Sequence, residues 1–209
     1  MEYALKIKDK TGLNPEIIKA LNWIDVPDTF LLKDLITENS INDLYLFLKG
    51  VQSKFSDLMQ LLDQNGISYN LKELIEAKCL IVTISTYGGN MHSGFAIYDL
   101  LVDSPFKIVT VGLGKVMSAG FLIFLAGDVR RSNENTRFMI HEVSTVTYGT
   151  LSAIEEDLNE AKILNDIAKR IIVSKTAITM EQLNTYATQK KDWYMSKKEA
   201  MELKVLTEL

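Results

Sequence analysis

The sequence predicts an α/β fold built on a parallel sheet. Its central part alternates β-branched and helical runs in the order strand, glycine-rich turn, helix, strand, turn, helix, strand. This βαβαβ order implies right-handed crossovers within one sheet. A helical register then runs from about Leu151 to Lys175. Hydrophobic residues make up 47% of the 209 residues and charged residues 24%, enough core material to fold without cross-links. A mass of 23.6 kDa suits one domain with a small appendage.

The elements follow in order. Asn14 and Pro15 read as a helix N-cap and first helical position. Pro27 marks a boundary, and Phe30 to Leu32 reads as a short strand. Apolar residues then recur at helical spacing in two runs, Ser40 to about Leu48 and Val51 to Leu62. Asn65-Gly66 is a helix stop or turn, and Leu71 to Ala77 a further short helix. Cys79 to Ile84 is a buried strand by its β-branched content. Thr86 to Asn90 is a turn, Ser93 to Val102 a helix, and Ile108 to Val111 a second strand. Ser118 to Leu125 is an apolar helix with a small-residue start, and Thr136 to Ile140 a third central strand. The long helix carries acids early and Lys169 and Arg170 late, which suits its macrodipole. The tail from Thr179 holds short helices on either side of Asp192-Trp193-Tyr194-Met195-Ser196.

Composition narrows the function. A net charge of −4, a pI near 5.3 and no basic block argue against a nucleic-acid surface. The single cysteine, Cys79, forms no internal disulfide and reads as a small buried hydrophobe, so a reducing, cytoplasmic setting is expected. Cys79, His92 and His141 lack metal-site spacing, so no metal is expected. Neither GxxxxGK[ST] nor GxGxxG occurs, and no cofactor is expected. No signal-peptide core opens the chain, and no uncharged run reaches the ~20 residues of a membrane span.

The chemistry centres on a serine and a histidine. The chain has only two histidines. His141 ends a strand one element downstream of Ser118, which opens an apolar helix. A serine becomes a nucleophile when a neighbouring base takes its proton. The helix start favours negative charge and brings the Ala119 N–H to the reacting centre. An N-cap explains Ser118 alone, and a satisfied core histidine explains His141 alone. His92 reads as a surface or turn residue. Gly88-Gly89 is either a tight turn or a concavity of N–H donors. Asp192 reads as a helix cap or solvated turn, and spacing does not separate it from Asp99, Asp103 or Asp128. No GxSxG nucleophile elbow is present.

These residues resemble the proteolytic subunit of the Clp protease (ClpP), on the crotonase-like fold. Thr86-Tyr87-Gly88-Gly89 corresponds to the family's Ser-Pro-Gly-Gly turn, and Ser118-Ala119-Gly120 to its Ser-Met-Gly-Ala helix start. Met139-Ile140-His141-Glu142-Val143 corresponds to Met-Ile-His-Gln-Pro, and Asp192-Trp193-Tyr194-Met195-Ser196 to Asp-x-x-(Met/Leu)-Ser. Ser93 to Asp99 is similar to the family's Ala-Gly-x-x-Ile-Tyr-Asp helix, and Ser196 to Ala200 to its closing helix. The resemblance covers residues 79–209. It implies a ClpP/crotonase-like fold of repeated β-β-α units with a long handle helix. It implies Ser118 as nucleophile, His141 as base and then acid, Asp192 as orienting carboxylate, and the N–H groups of Gly89 and Ala119 as oxyanion hole. The reaction is then hydrolysis of peptide bonds in unfolded or small polypeptides, inside a homo-oligomeric chamber of one or two heptameric rings.

The departures concern substrate and assembly. Tyr87 stands for the proline of the first turn, and Glu142-Val143 for Gln-Pro after the histidine. Lys191 stands for the basic residue, usually arginine, linked to ring pairing, and lysine lacks its planar fork. Residues 1–28 read as a divergent N-terminal segment, 29–209 as the protease domain, and about 51–78 as an insertion. No axial-loop sequence is recognisable, which argues against docking to an AAA+ unfoldase. Divergent phage-type relatives act in prohead maturation. Two readings from other classes share the fold, a crotonase-type acyl-CoA enzyme and an inactive scaffold, and the Ser118, His141, Asp192 set argues against both.

Overall fold

The computed structural model describes residues 12–189 and 191–207. The first eleven residues of the N-terminal segment lie outside the described residues. In chain order the elements are α1 (Pro15–Asp25), β1 (Asp28–Ile36), α2 (Glu38–Gln64), α3 (Leu71–Ala77), β2 (Cys79–Gly89), α4 (Met91–Val102) and β3 (Lys107–Met117). Then come α5 (Ala119–Phe124), β4 (Val129–Ser132), β5 (Arg137–Ile140), α6 (Leu151–Lys175), α7 (Met180–Thr188), β6 (Trp193–Met195) and α8 (Lys197–Glu202).

The fold is the expected α/β class. The sheet runs β1-β2-β3-β5-β6, with β4 also on β3. β4 pairs with Val109–Gly112 of β3 and β5 with Lys115–Met117, so the two short strands share one edge of the long one. All pairings are parallel except β5 with β6. Leu80, Val82 and Ile84 of β2 are fully buried, as are Ile97, Phe124 and Phe138 around them. Leu80, Val82 and Ile84 share one face of β2, and the residues between them on the other face are half-buried.

Several boundaries differ from those the sequence predicts. The two apolar runs of residues 40–62 form one 27-residue helix, because Leu44, Leu48, Val51, Phe55, Leu58 and Leu62 keep one buried face through Gly50. Residues 86–89, expected as a turn, continue β2, because Leu35 and Ile36 on one side and Val116 on the other pair with them. β3 likewise runs on to Met117, past a register shift that sets Ile84 against Gly112 and Thr86 against Val116. β4 and β6 are not predicted at all. Both are short, and their partners lie far away in sequence. Arg130 of β4 explains why the C-terminus returns: its guanidinium is buried and donates to the carbonyls of Val205 (2.7 Å), Lys175 (2.9 Å) and Lys204 (3.0 Å).

α1 packs Ile17, Leu21 and Ile24 onto the same core. Asn14 caps it by accepting from the Glu16 N–H, as its sequence predicts. At its other end Lys78, fully buried just before β2, donates to the carbonyls of Trp23 (3.0 Å) and Val26 (2.6 Å). The Lys78 ammonium also pairs with Asp28 at 2.7 Å and lies 4.0 Å from the centre of the Trp23 ring. Trp23 Nε1 donates to the same carboxylate at 2.9 Å. A buried ammonium needs this many partners to offset its lost hydration.

Candidate active site

β3 and β5 are parallel and end side by side, so the residues that follow them emerge at one carboxyl edge of the sheet. That edge is where open α/β sheets present binding residues. The Ser118 N–H still donates to the Met139 carbonyl at 3.0 Å, extending the ladder by one step. Ser118 itself adopts φ 54° and ψ −125°. That region is disfavoured for residues with a Cβ and costs about 1–3 kcal/mol. It lets the chain turn from β3 into α5 within one residue. The Ser118 hydroxyl makes no capping bond to α5. Instead Oγ lies 2.7 Å from His141 Nε2. With Nε2 unprotonated, the hydroxyl donates and the imidazole is set to take its proton. Ser118 therefore occupies the N-cap position without acting as a side-chain cap, and the two residues singled out by sequence meet in space.

α5 keeps this arrangement rigid. All of Ala119 to Phe124 are buried, so the helix start cannot shift without disturbing the core. Ala119 is the first residue of α5, where the helix offers its N–H no acceptor. The end of β2 presses against it. A Cβ on Gly88, where φ is +107°, would lie 2.6 Å from Ser118 Cβ, 2.9 Å from the Met117 carbonyl oxygen and 3.1 Å from Ala119 N. A Cβ on Gly89, where φ is +151°, would lie 2.3 Å from the Ile36 carbonyl oxygen. Only glycine allows both approaches. The Gly88 N–H is already taken by Thr86 Oγ1 at 3.0 Å, and the Thr86 hydroxyl donates in turn to the Asp34 carbonyl. Gly88 is thus a close-packing residue, and its amide is not a free donor.

Asp192 stands differently. The antiparallel register pairs Met139 with Tyr194 and Ile140 with Trp193, and one further step sets His141 opposite Asp192. The Asp192 side chain is exposed, and its carboxylate has no hydrogen bond among the described residues. The register thus leaves Asp192 beside the His141 end of β5, with no hydrogen bond or ion pair between its carboxylate and the imidazole among the described residues. The sequence also gave no warning of two supports. Asn165 of α6 accepts from the Val143 N–H at 3.3 Å and ties the segment after His141 to the long helix. Tyr186 of α7 stacks on Trp193 at 4.3 Å between ring centres. No spacing in the chain links either residue to the histidine.

Ser118 and His141 open onto a cleft of about 260 Å³ walled by Leu35, Tyr87, Met91, Phe121, Ile140 and Ala168, among others. Its walls are mostly apolar, which suits a side chain or peptide segment taken out of water. Tyr87 is 67% exposed at its rim, with the Lys115 ammonium 3.8 Å from its ring centre. On the other side of His141 is a small space of about 30 Å³ bordered by Asn165, Lys169, Tyr186 and Trp193. His92 is on the surface of α4, 3.7 Å from Glu160 of α6, and does not join Ser118. Cys79 opens β2 at half burial, and burial pushes its thiol pKa up, which disfavours the reactive thiolate. Among the described residues no cluster of three or more His, Cys, Asp or Glu could hold a metal. No described helix is long and apolar enough to cross a membrane.

Comparison with known proteins places this geometry in context. The family model for Clp protease matches residues 67–207. The chain is 25% identical over 169 residues to ATP-dependent Clp protease proteolytic subunit 2 of Treponema pallidum, covering 75% of this chain and 84% of that protein. It is 32% identical over 121 residues to ATP-dependent Clp protease proteolytic subunit 2 of Pseudomonas aeruginosa, covering 57% of this chain and 59% of that protein. It is 30% identical over 125 residues to the ATP-dependent Clp protease proteolytic subunit of Paracoccus denitrificans, covering 59% and 62%. In the latter two pairs the match spans about three-fifths of the relative's length. The matched region holds the serine and its strained turn, the histidine beside it and the strand that follows Asp192, and the chain belongs to the Clp protease family of serine-type peptidases.

Proposed function

We propose that this chain hydrolyses peptide bonds in unfolded or small polypeptides through Ser118, His141 and Asp192. The observation that carries this reading is the 2.7 Å contact between Ser118 Oγ and His141 Nε2 at the wall of an apolar cleft. His141 Nε2 takes the hydroxyl proton as Oγ bonds to the scissile carbonyl carbon. The carbonyl oxygen becomes an oxyanion, facing the N–H groups of Ala119 and Gly89. The imidazolium then gives its proton to the leaving amine as the C–N bond breaks. Water, deprotonated by the same imidazole, releases the acyl group and restores the hydroxyl. Asp192, one residue before the strand β6 that pairs with β5, orients the ring and offsets its positive charge. The occupied amide of Gly88 favours Gly89 as the second oxyanion donor.

The active form is a homo-oligomeric chamber of heptameric rings in a cytoplasmic setting. The exposure of Val146 (95%), Tyr148 (91%) and Leu151 (73%) before and at the start of α6 supports assembly, since single chains rarely leave such a run in water. Labelling with a fluorophosphonate tests the reading, read by intact mass on the parent and on Ser118→Ala and run beside native mass spectrometry. One label per chain that disappears in Ser118→Ala, on a ring-sized assembly, is the expected result. An assembled ring that takes no label overturns it.

A further inference from the structure

Asp192 lies between residues that are both held by Tyr186. On one side the Lys191 N–H donates to the Tyr186 carbonyl at 3.2 Å. On the other, the Trp193 ring stacks on the Tyr186 ring with 4.3 Å between centres and 3° between planes. Tyr186 itself is anchored in α7, whose N-terminus carries a complete capping box of Thr179 and Gln182. Leu183, three residues before Tyr186, is buried in the core. At its far end β6 is also anchored by Met195, which is fully buried in the core opposite Phe138. The strand is three residues long, forms an edge of the sheet and pairs on one side only. A short edge strand of this kind frays readily, and a one-residue slip would turn its side chains to the opposite face.

We infer that Tyr186 is the positioning residue for the Asp192 carboxylate, holding the chain before it by a backbone bond and the chain after it by its ring. The inference rests on the proposed role of Asp192. Ring stacking holds the Trp193 end of β6 in register against Ile140, while the buried Met195 holds the other end, and Asp192 is the residue just before Trp193. The phenol hydroxyl has no part in the device, so phenylalanine should serve equally well.

The test uses the assembled protein and a fluorogenic peptide, with Tyr186→Phe, Tyr186→Leu, Asp192→Ala and the double variant Tyr186→Leu/Asp192→Ala. Tyr186→Leu keeps apolar bulk without an aromatic face. It is expected to lower kcat by about 10²-fold, as misplacement by about an ångström can, with KM within about twofold. Tyr186→Phe should stay within about twofold of the parent. The double variant should be no slower than Asp192→Ala, since a residue acting only through Asp192 has nothing left to act on. Parent-like kcat in Tyr186→Leu, or losses that multiply in the double variant, would overturn the inference. A parent-like Asp192→Ala would instead refute the role of Asp192 itself, and an unlabelled Ser118 in the parent the whole peptidase reading. Tyr186→Trp, which keeps a stacking face, replaces Tyr186→Leu if that variant fails to assemble, and must then retain parent kcat.

Discussion

Ser118 follows an eleven-residue strand, bonded along both edges, and opens a helix whose residues are all buried. Asp192 precedes a three-residue strand on the sheet edge and is itself exposed. The serine and histidine are thus fixed by the core, and displacing either means displacing Met117, Phe138 or α5. The Asp192 carboxylate has no hydrogen bond among the described residues, and only the chain beside it is held, by Tyr186 and by the buried Met195 of β6. A catalytic set does not need equal rigidity in its members. The nucleophile and base must meet within hydrogen-bond reach, while the acid acts on a ring already held and can come from a softer part of the fold.

The largest effect expected from this contrast is on the pair itself. His141→Ala should lower kcat by at least about 10⁴-fold, and Asp192→Asn should be about a hundredfold milder, by analogy with triads dissected elsewhere. Single-turnover labelling of Ser118 checks both. Equal losses would mean that the carboxylate is as tightly integrated as the imidazole. Next in size is Gly88→Ala. Its new methyl would sit 2.6 Å from Ser118 Cβ on a backbone with φ +107°, so labelling should fall together with a loss of about 2–3 kcal/mol in stability. Gly114→Ala is the control: its φ is +71°, but no atom lies within 4 Å of the added Cβ. It should cost about 1 kcal/mol of backbone strain and leave labelling unchanged. Parallel losses in both variants would show that strain alone, not contact with Ser118, is at work.

The same contrast explains what could be read from the sequence. Long, strongly patterned elements were legible: α6 runs over Leu151–Lys175 as its apolar register implies, and α1 starts at the Asn14 and Pro15 signals. The serine and histidine were legible because histidine is scarce and both lie at element ends. β4 and β6 were not, because strands of four and three residues carry too little pattern and owe their existence to partners that only the folded sheet supplies. The extension of β2 through Gly88 and Gly89 was hidden for a related reason. Glycine pairs imply a turn in isolation, whereas here they admit Ser118 and the backbone of Ile36 on either side. Asp192 was singled out only by family resemblance, since Tyr186 and Ile140, which contact Trp193 beside it, are unrelated to it by any local spacing.

A smaller effect is expected at Asn165, which ties the segment after His141 to the long helix. Asn165→Ala leaves the Val143 N–H without its acceptor and should lower kcat by about threefold to tenfold, equivalent to one neutral hydrogen bond. Steady-state kinetics on a short peptide checks it. An effect as large as that of Asp192→Asn would move α6 into the group of elements that fix the reacting atoms.

Lys78 gives the opposite end of the molecule a separate fate. Burial lowers its pKa from the ordinary 10.5, against the raising effect of Asp28. The folded chain therefore releases this proton at a lower pH than the unfolded chain does. Keeping the charge inside is a burden at neutral pH, and it lifts as pH rises through the folded value towards 10.5. Unfolding free energies of the parent and Lys78→Met should accordingly shift in the parent's favour between neutral and alkaline pH, and a difference independent of pH would count against this. At neutral pH the bonds to Trp23, Val26 and Asp28 share one ammonium, so they break together. The first helix then has a single opening equilibrium, and its amides should exchange with solvent as one block in the Lys78 variant while those of β3 and α5 keep their protection. A chain with such a fastening can loosen its α1 helix while Ser118 and His141, some elements away, stay in place.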